Sequence, residues 1–230
     1  MSNYRWIMRP AALAAYGLCA LGVPAFAGEE CDIWRGEPTS FGAEVWEVNG
    51  TILDDGRYCH LVEPAVDAGY LQHDVTYASR SIEVEFVIDT EDLIMEMGDV
   101  FRLCEIEGES GIELIRLRLL FHDPLGAYRL LVNWASDDES GAAHPQIDLP
   151  SSSTTIRARW MTSTVVGNVP QDNGEIAVFL GEDPMPLFVR ENLIVGADFA
   201  DHIRVGVIGG EDPGTAGAFG FKINELSFGF

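Results

Sequence analysis

Apolar and polar residues alternate with a period of two along most of this chain, the pattern of strands with one buried face. Between Thr154 and Met161, Ile156, Ala158 and Trp160 alternate with Arg157, Arg159 and Met161. From Glu175 to Leu180, Ile176, Val178 and Leu180 alternate with Ala177 and Phe179. Asp172-Asn173-Gly174 supplies residues that tolerate positive φ. The stretch 154–183 therefore predicts an antiparallel hairpin with its tip at 172–174, apolar on one face and carrying two arginines on the other.

The same alternation recurs on both sides of this hairpin. Ser81 to Asp89 sets Ile82, Val84, Phe86 and Ile88 against Glu83, Glu85 and Asp89. Ile112 to Phe121 sets Ile115, Leu117, Leu119 and Phe121 against Arg116 and Arg118. Tyr128 to Trp134 sets Tyr128, Leu130, Val132 and Trp134 against Arg129, Leu131 and Asn133. Shorter or noisier runs lie at 45–48, 58–62, 70–77, 99–107, 203–209 and 219–230, while Pro184 and Pro186 interrupt the chain after the hairpin. Glu91 to Met97 is the single helical candidate. About ten to thirteen strands without crossover helices predict an all-β, antiparallel two-sheet sandwich. No repeat or linker divides it, so residues 28–230 are expected to form one domain.

Residues 1–27 have another character. Arg5 and Arg9 precede the apolar run Ala11 to Val23, and Ala25-Phe26-Ala27 is followed by Gly28. This order predicts a cleaved secretory signal, a mature chain starting at Gly28, and a secreted or periplasmic destination with no membrane contact after cleavage. Loss of Arg5 and Arg9 takes the formal charge from −23 to −25. Such acidity excludes nucleic acid and anionic membrane surfaces as partners, because phosphates need a basic footprint. No cofactor motif is present, and calcium held by acidic loops is the one cofactor the composition leaves open.

Export leaves three cysteines: Cys31, Cys59 and Cys104. Three pairings are open, and Cys31–Cys59 is favoured because it would staple the loop-rich N-terminal segment. Cys104 reads as a small buried hydrophobe. The five histidines are scattered in sequence (60, 73, 122, 144, 202), which gives no local zinc spacing.

Three stretches together resemble the concanavalin A-like lectin/glucanase and laminin-G-like jelly rolls: GYLQHDVTYASRSIEVEFVID, TTIRARWMTST with DNGEIAVFLGED, and HIRVGVIGGEDPGTAGAFGFKINELSF. The resemblance covers roughly residues 70–230 and implies a jelly roll with a curved central sheet and a last strand beside the N-terminal one. It spans lectins, adhesion domains, hydrolases and lyases, so it does not fix an activity. Laminarinase-like members carry Glu-x-Asp-x-x-Glu on one strand, which sets two carboxylates on one face for a retaining mechanism. The matching text here is Glu83-Val84-Glu85-Phe86-Val87-Ile88, with Glu for Asp and with Ile88 in the last acidic position. The catalytic set is incomplete, and no catalytic residue is assigned.

What remains is a surface. If the strands at 81–89, 112–121, 128–134 and 154–163 share one sheet, Glu83, Glu85, Arg116, Arg118, Arg129, Asn133, Arg157 and Arg159 line one face. The resemblance implies that this face is concave. Guanidinium groups there would grip carboxylates, sulfates or hydroxyls of a glycan; the competing reading is a ladder of exposed ion pairs. Trp134 and Trp160 fall with the apolar residues and are expected in the core. The expectation is an exported, non-catalytic module that binds carbohydrate or a cell-surface partner. The alternatives are a degenerate polysaccharide hydrolase or lyase, or a structural envelope protein.

Overall fold

The computed structural model describes residues 47–50, 53–54, 59–62, 69–75, 79–122, 127–135, 145–150, 153–194, 199–212 and 216–229. The expected export signal, Cys31 and hence the expected Cys31–Cys59 pairing lie outside them. The strands in chain order are β1 (Glu47–Gly50), β2 (Leu53–Asp54), β3 (Cys59–Val62), β4 (Gly69–Asp74), β5 (Ser81–Asp89) and β6 (Leu93–Ile94). There follow β7 (Val100–Gly108), β8 (Glu113–His122), β9 (Ala127–Trp134), β10 (Gln146–Asp148), β11 (Thr154–Met161) and β12 (Val165–Val166). The last are β13 (Val169–Pro170), β14 (Gly174–Leu180), β15 (Phe188–Leu193), β16 (Ala200–Asp212) and β17 (Ala216–Gly229).

Every pairing is antiparallel. Sheet A runs β1-β4-β16-β7-β8-β9-β10, and sheet B runs β15-β14-β11-β5-β17-β3-β2 with β6 also on β17. The apolar faces meet in one core. Ile82, Val84, Phe86, Ile156, Trp160, Ile176 and Val178 come from sheet B, and Leu71, Ile106, Ile115, Leu117, Leu119, Val132, Ile203 and Val205 from sheet A. Trp160 is fully buried. Trp134 lies at the margin of the core with its ring 5.4 Å from that of Phe188. The chain is thus the expected antiparallel β-sandwich, and β17 runs beside β3 as the resemblance implied.

Four expectations are corrected. β5 and β11 belong to sheet B, whereas β8 and β9 belong to sheet A, so the four strands do not form one sheet. Alternation fixes which residues share a side of one strand, but it carries no information on which strands pair. Residues 91–97 form no helix: Leu93 and Met95 enter the core while Ile94 points out, an extended pattern that places β6 against β17. The hairpin tip lies at Gly167-Asn168, where φ is 59° and 66°, between β12 and β13. Asn173, expected at the tip, instead staples its base: its Oδ1 accepts from the Thr164 N–H at 2.8 Å and its amide donates to Thr164 Oγ1 at 2.9 Å. Finally, Pro184 and Pro186 precede a further edge strand, β15, whose mostly exposed positions gave it no periodic signal.

Candidate binding face

The eight residues expected in one groove are divided between two outer faces. On sheet B, Glu83, Glu85, Arg157 and Arg159 are neighbours in register, with Arg157 opposite Glu85 and Arg159 opposite Glu83. Arg159 bonds Glu175 through Nε at 3.0 Å and Nη2 at 2.5 Å, and lies 3.7 Å from Glu83. The Arg157 guanidinium stacks 4.1 Å from the Phe179 ring centre and 3.6 Å from Glu83. These charges compensate one another across strands, which is the ion-pair ladder. It explains the alternation without a ligand.

Arg116, Arg118, Arg129 and Asn133 stand on the outer face of sheet A, the far side of the sandwich from Arg159. Register brings them beside residues that the sequence reading left out. One row across the sheet reads Gln72 (β4), Arg204 (β16), Glu105 (β7), Arg116 (β8) and Asn133 (β9). Arg102 on β7 pairs in register with Arg118 on β8. Two like charges directly opposite one another are unfavourable in a sheet. Arg129, at the margin of the face, is held by Asp148 at 2.6 Å and Gln146 at 3.1 Å.

At the centre of the face sits Glu105, whose side chain is 2% exposed although its strand position points outward. Three arginines roof it: Arg102 at 3.6 Å, Arg116 at 3.5 Å and Arg204 at 3.4 Å. Glu105 Oε1 and Arg116 Nε have no hydrogen-bond partner among the described residues, so at 3.5 Å they meet as charges. Burial pushes the Arg116 guanidinium below its ordinary value, opposed by the Glu105 charge. Arg116 also pairs with Glu113. Arg204 donates through Nε to Gln72 at 2.9 Å and through Nη1 to Glu107 at 2.9 Å, and lies 6.0 Å from the Tyr70 ring centre. The Arg118 Nε donates to Asn133 Oδ1 at 3.2 Å.

Backbone irregularity creates this cluster. A register shift between Arg102 and Cys104 breaks the alternation in β7, so that Arg102 and Glu105, three residues apart, both face outward. Cys104 turns into the core, where burial and then the Glu105 charge push its thiol up. On β16 a second shift, between Val205 and Gly209, places Gly209 opposite Arg102. A Cβ at Gly209 would stand 3.0 Å from Arg102 Nη2, so a side chain there would push that guanidinium by a few tenths of an ångström. At the sheet's far edge, the two ring nitrogens of His202 lie 2.8 Å from Asp74 and 2.9 Å from Asp201. Hydrogen bonds from Gln72 and then His202 hold the Asp74 carboxyl below its ordinary value.

The sequence reading had Arg116, Arg118, Arg129 and Asn133 and missed Tyr70, Gln72, Arg102, Glu105 and Arg204. Arg204 lay in a recognised strand that had not been placed beside β7. The irregular parity of β7 conceals the outward aim of Glu105. Among the described residues, no group of three His, Cys, Asp or Glu side chains is arranged to hold a metal ion. No helix among them is long and apolar enough to cross a membrane.

No protein-family model matches the chain, and no curated protein matches it in sequence. Solved structures do match in shape. The carbohydrate recognition domain of Emp47p superposes with a TM-score of 0.52 at 13% identity, covering 82% of this chain and 91% of that one. A marine alginate lyase from Aplysia kurodai gives 0.51 at 12% identity, covering 79% and 87%. The fold is the concanavalin A-like jelly roll. Within this jelly roll, the expected single groove becomes two faces: one on sheet B whose arginines pair with part-exposed carboxylates, and one on sheet A whose arginines pair with Glu107, Glu113 and Asp148 and also crowd the buried Glu105.

Proposed function

We propose that this jelly roll is an exported, non-catalytic module that binds an acidic polysaccharide across the outer face of sheet A. The observation that carries the reading is the gathering of Arg102, Arg116, Arg118, Arg129 and Arg204 on one face of a chain with formal charge −23 and only fourteen basic residues. Solubility does not require such a cluster, and its Arg102–Arg118 pairing sets like charges opposite one another. Guanidinium forks suit carboxylate and sulfate groups, and Gln72, Asn133 and Tyr70 supply hydroxyl partners beside them. The likeness to a carbohydrate recognition domain and to an alginate lyase supports a glycan ligand. The carboxylate pattern of the glucanases ends here at Ile88, which is buried in the core, and this favours binding over hydrolysis.

Titration of the chain from Gly28 onward against 1,4-linked uronate, sulfated and neutral oligosaccharides tests the reading. Acidic oligomers should bind, and binding should weaken as salt shortens the Debye length toward roughly 8 Å. Binding of neutral sugars alone, or of none, contradicts it. For export, N-terminal sequencing of the protein recovered outside the cytoplasm should begin at Gly28; a start at Met1 contradicts that part.

A further inference from the structure

The sheet A cluster holds one group that a simple cationic surface does not need. Glu105 is buried beneath the guanidiniums, out of reach of any ligand lying on them, and its negative charge lowers the net attraction for an anion. A carboxylate retained at such a place has another use: it fixes where its counter-charges sit. Glu113 and Glu107 hold Arg116 and Arg204 from the rim, but Glu105 is the carboxylate that all three guanidiniums share. Around Glu105 they are held at 3.4 to 3.6 Å from one carboxyl group, on three adjacent strands. Adjacent strands lie about 4.8 Å apart. Arg204 and Arg116 flank β7, so they are set about two strand spacings from each other, and Arg102 is offset along β7 itself. Gln72 fixes the far side of Arg204 at 2.9 Å, and Gly209 leaves the space in which Arg102 lies.

We infer that Glu105 is a positioning residue that holds Arg102, Arg116 and Arg204 in a fixed spacing, so that the face selects stiff glycans with regularly spaced carboxylates over flexible polyanions of equal charge. The inference rests on the glycan-binding reading above. A flexible polyanion gains from charge alone and loses conformational entropy on binding, whereas a stiff uronate chain gains only where cations stand at its own repeat. Removing Glu105 should therefore do two opposite things: raise the general attraction for anions and abolish the preference between them.

The experiment compares two ligands of equal charge, hexaglutamate and 1,4-linked uronate hexamers (galacturonate, mannuronate and guluronate), by calorimetric titration of the chain from Gly28 onward. The readout is the ratio of the hexaglutamate Kd to that of the best-bound uronate. Wild type should show a ratio of about ten or more, and Glu105→Gln should bring it close to one with hexaglutamate binding unchanged or tighter. Should Glu105→Gln not fold, Glu105→Asp keeps the charge and shortens its reach, and it too should lower the ratio several-fold. An unchanged ratio in a folded variant overturns the inference while leaving the glycan reading in place. So does a proportional loss of both affinities, which would mark a merely structural role. Wild type that binds neither ligand overturns both.

Discussion

A carboxylate buried in a protein needs counter-charges fixed around it, and Glu105 has three arginines. Because those arginines remain part-exposed, their attraction is screened, and the cluster is worth less than a fully buried pair. Glu105→Ala should cost about 1–3 kcal/mol, chiefly by removing the buried carboxylate that the three guanidiniums share, as chemical denaturation would report. Arg159→Ala on sheet B should change stability by about 0.5 kcal/mol or less, since its partners Glu83 and Glu175 are themselves partly solvated. Asp74 gives the face a pH signature. Its carboxyl is held below the ordinary 3.8 in the folded chain, so the stabilisation is present above that pH and is lost as pH falls through the lower folded value. Asp74→Asn should remove that slope below about pH 4 and leave stability near neutrality with little pH dependence from this site. A denaturation series across acidic pH checks the sign.

At the scale of the element, strands are specified by what their inner faces fill. Trp160 is the largest fully buried side chain among the described residues, and Trp160→Ala should cost about 3–5 kcal/mol in denaturant titration, through both lost burial and the cavity left behind. Gly206 is specified by space: at φ 130° a Cβ there would stand 2.6 Å from the Gly69 carbonyl oxygen and 2.8 Å from Tyr70 Cα. Both are backbone atoms and cannot yield cheaply. Gly206→Ala should cost about 2–4 kcal/mol and loosen β4 against β16, visible as faster amide exchange in Gly69–Asp74. β5, β8, β9, β11 and β14 are legible in the sequence because apolar residues recur at every second position in each. The sequence hides what breaks alternation. β7 changes parity at its bulge, β6 is too short to show a period, and β15 is exposed at nearly every position. The turn at Gly167-Asn168 was hidden by Asp172-Asn173-Gly174, which has equally good turn residues but uses Asn173 to tie down Thr164.

For the molecule as a whole, the pairing of strands into sheets decides the function, and pairing is the long-range information that local periodicity lacks. Half of the residues expected on one face, Arg116, Arg118, Arg129 and Asn133, do share one on sheet A. The other half, Glu83, Glu85, Arg157 and Arg159, lies behind the core on sheet B, where the arginines pair with part-exposed carboxylates and not with a buried one such as Glu105. The division makes the account testable by one comparison of paired substitutions. Arg116→Ala with Arg204→Ala strips sheet A, Arg157→Ala with Arg159→Ala strips sheet B, and each pair removes the same formal charge. Long-range electrostatics therefore changes equally in both. Titration of the two double variants and wild type with an acidic oligosaccharide at moderate salt is the direct measurement. The sheet A pair should lose about a hundredfold or more in affinity, while the sheet B pair stays within about threefold of wild type. Equal losses in both, or a larger loss in the sheet B pair, would contradict a binding face on sheet A.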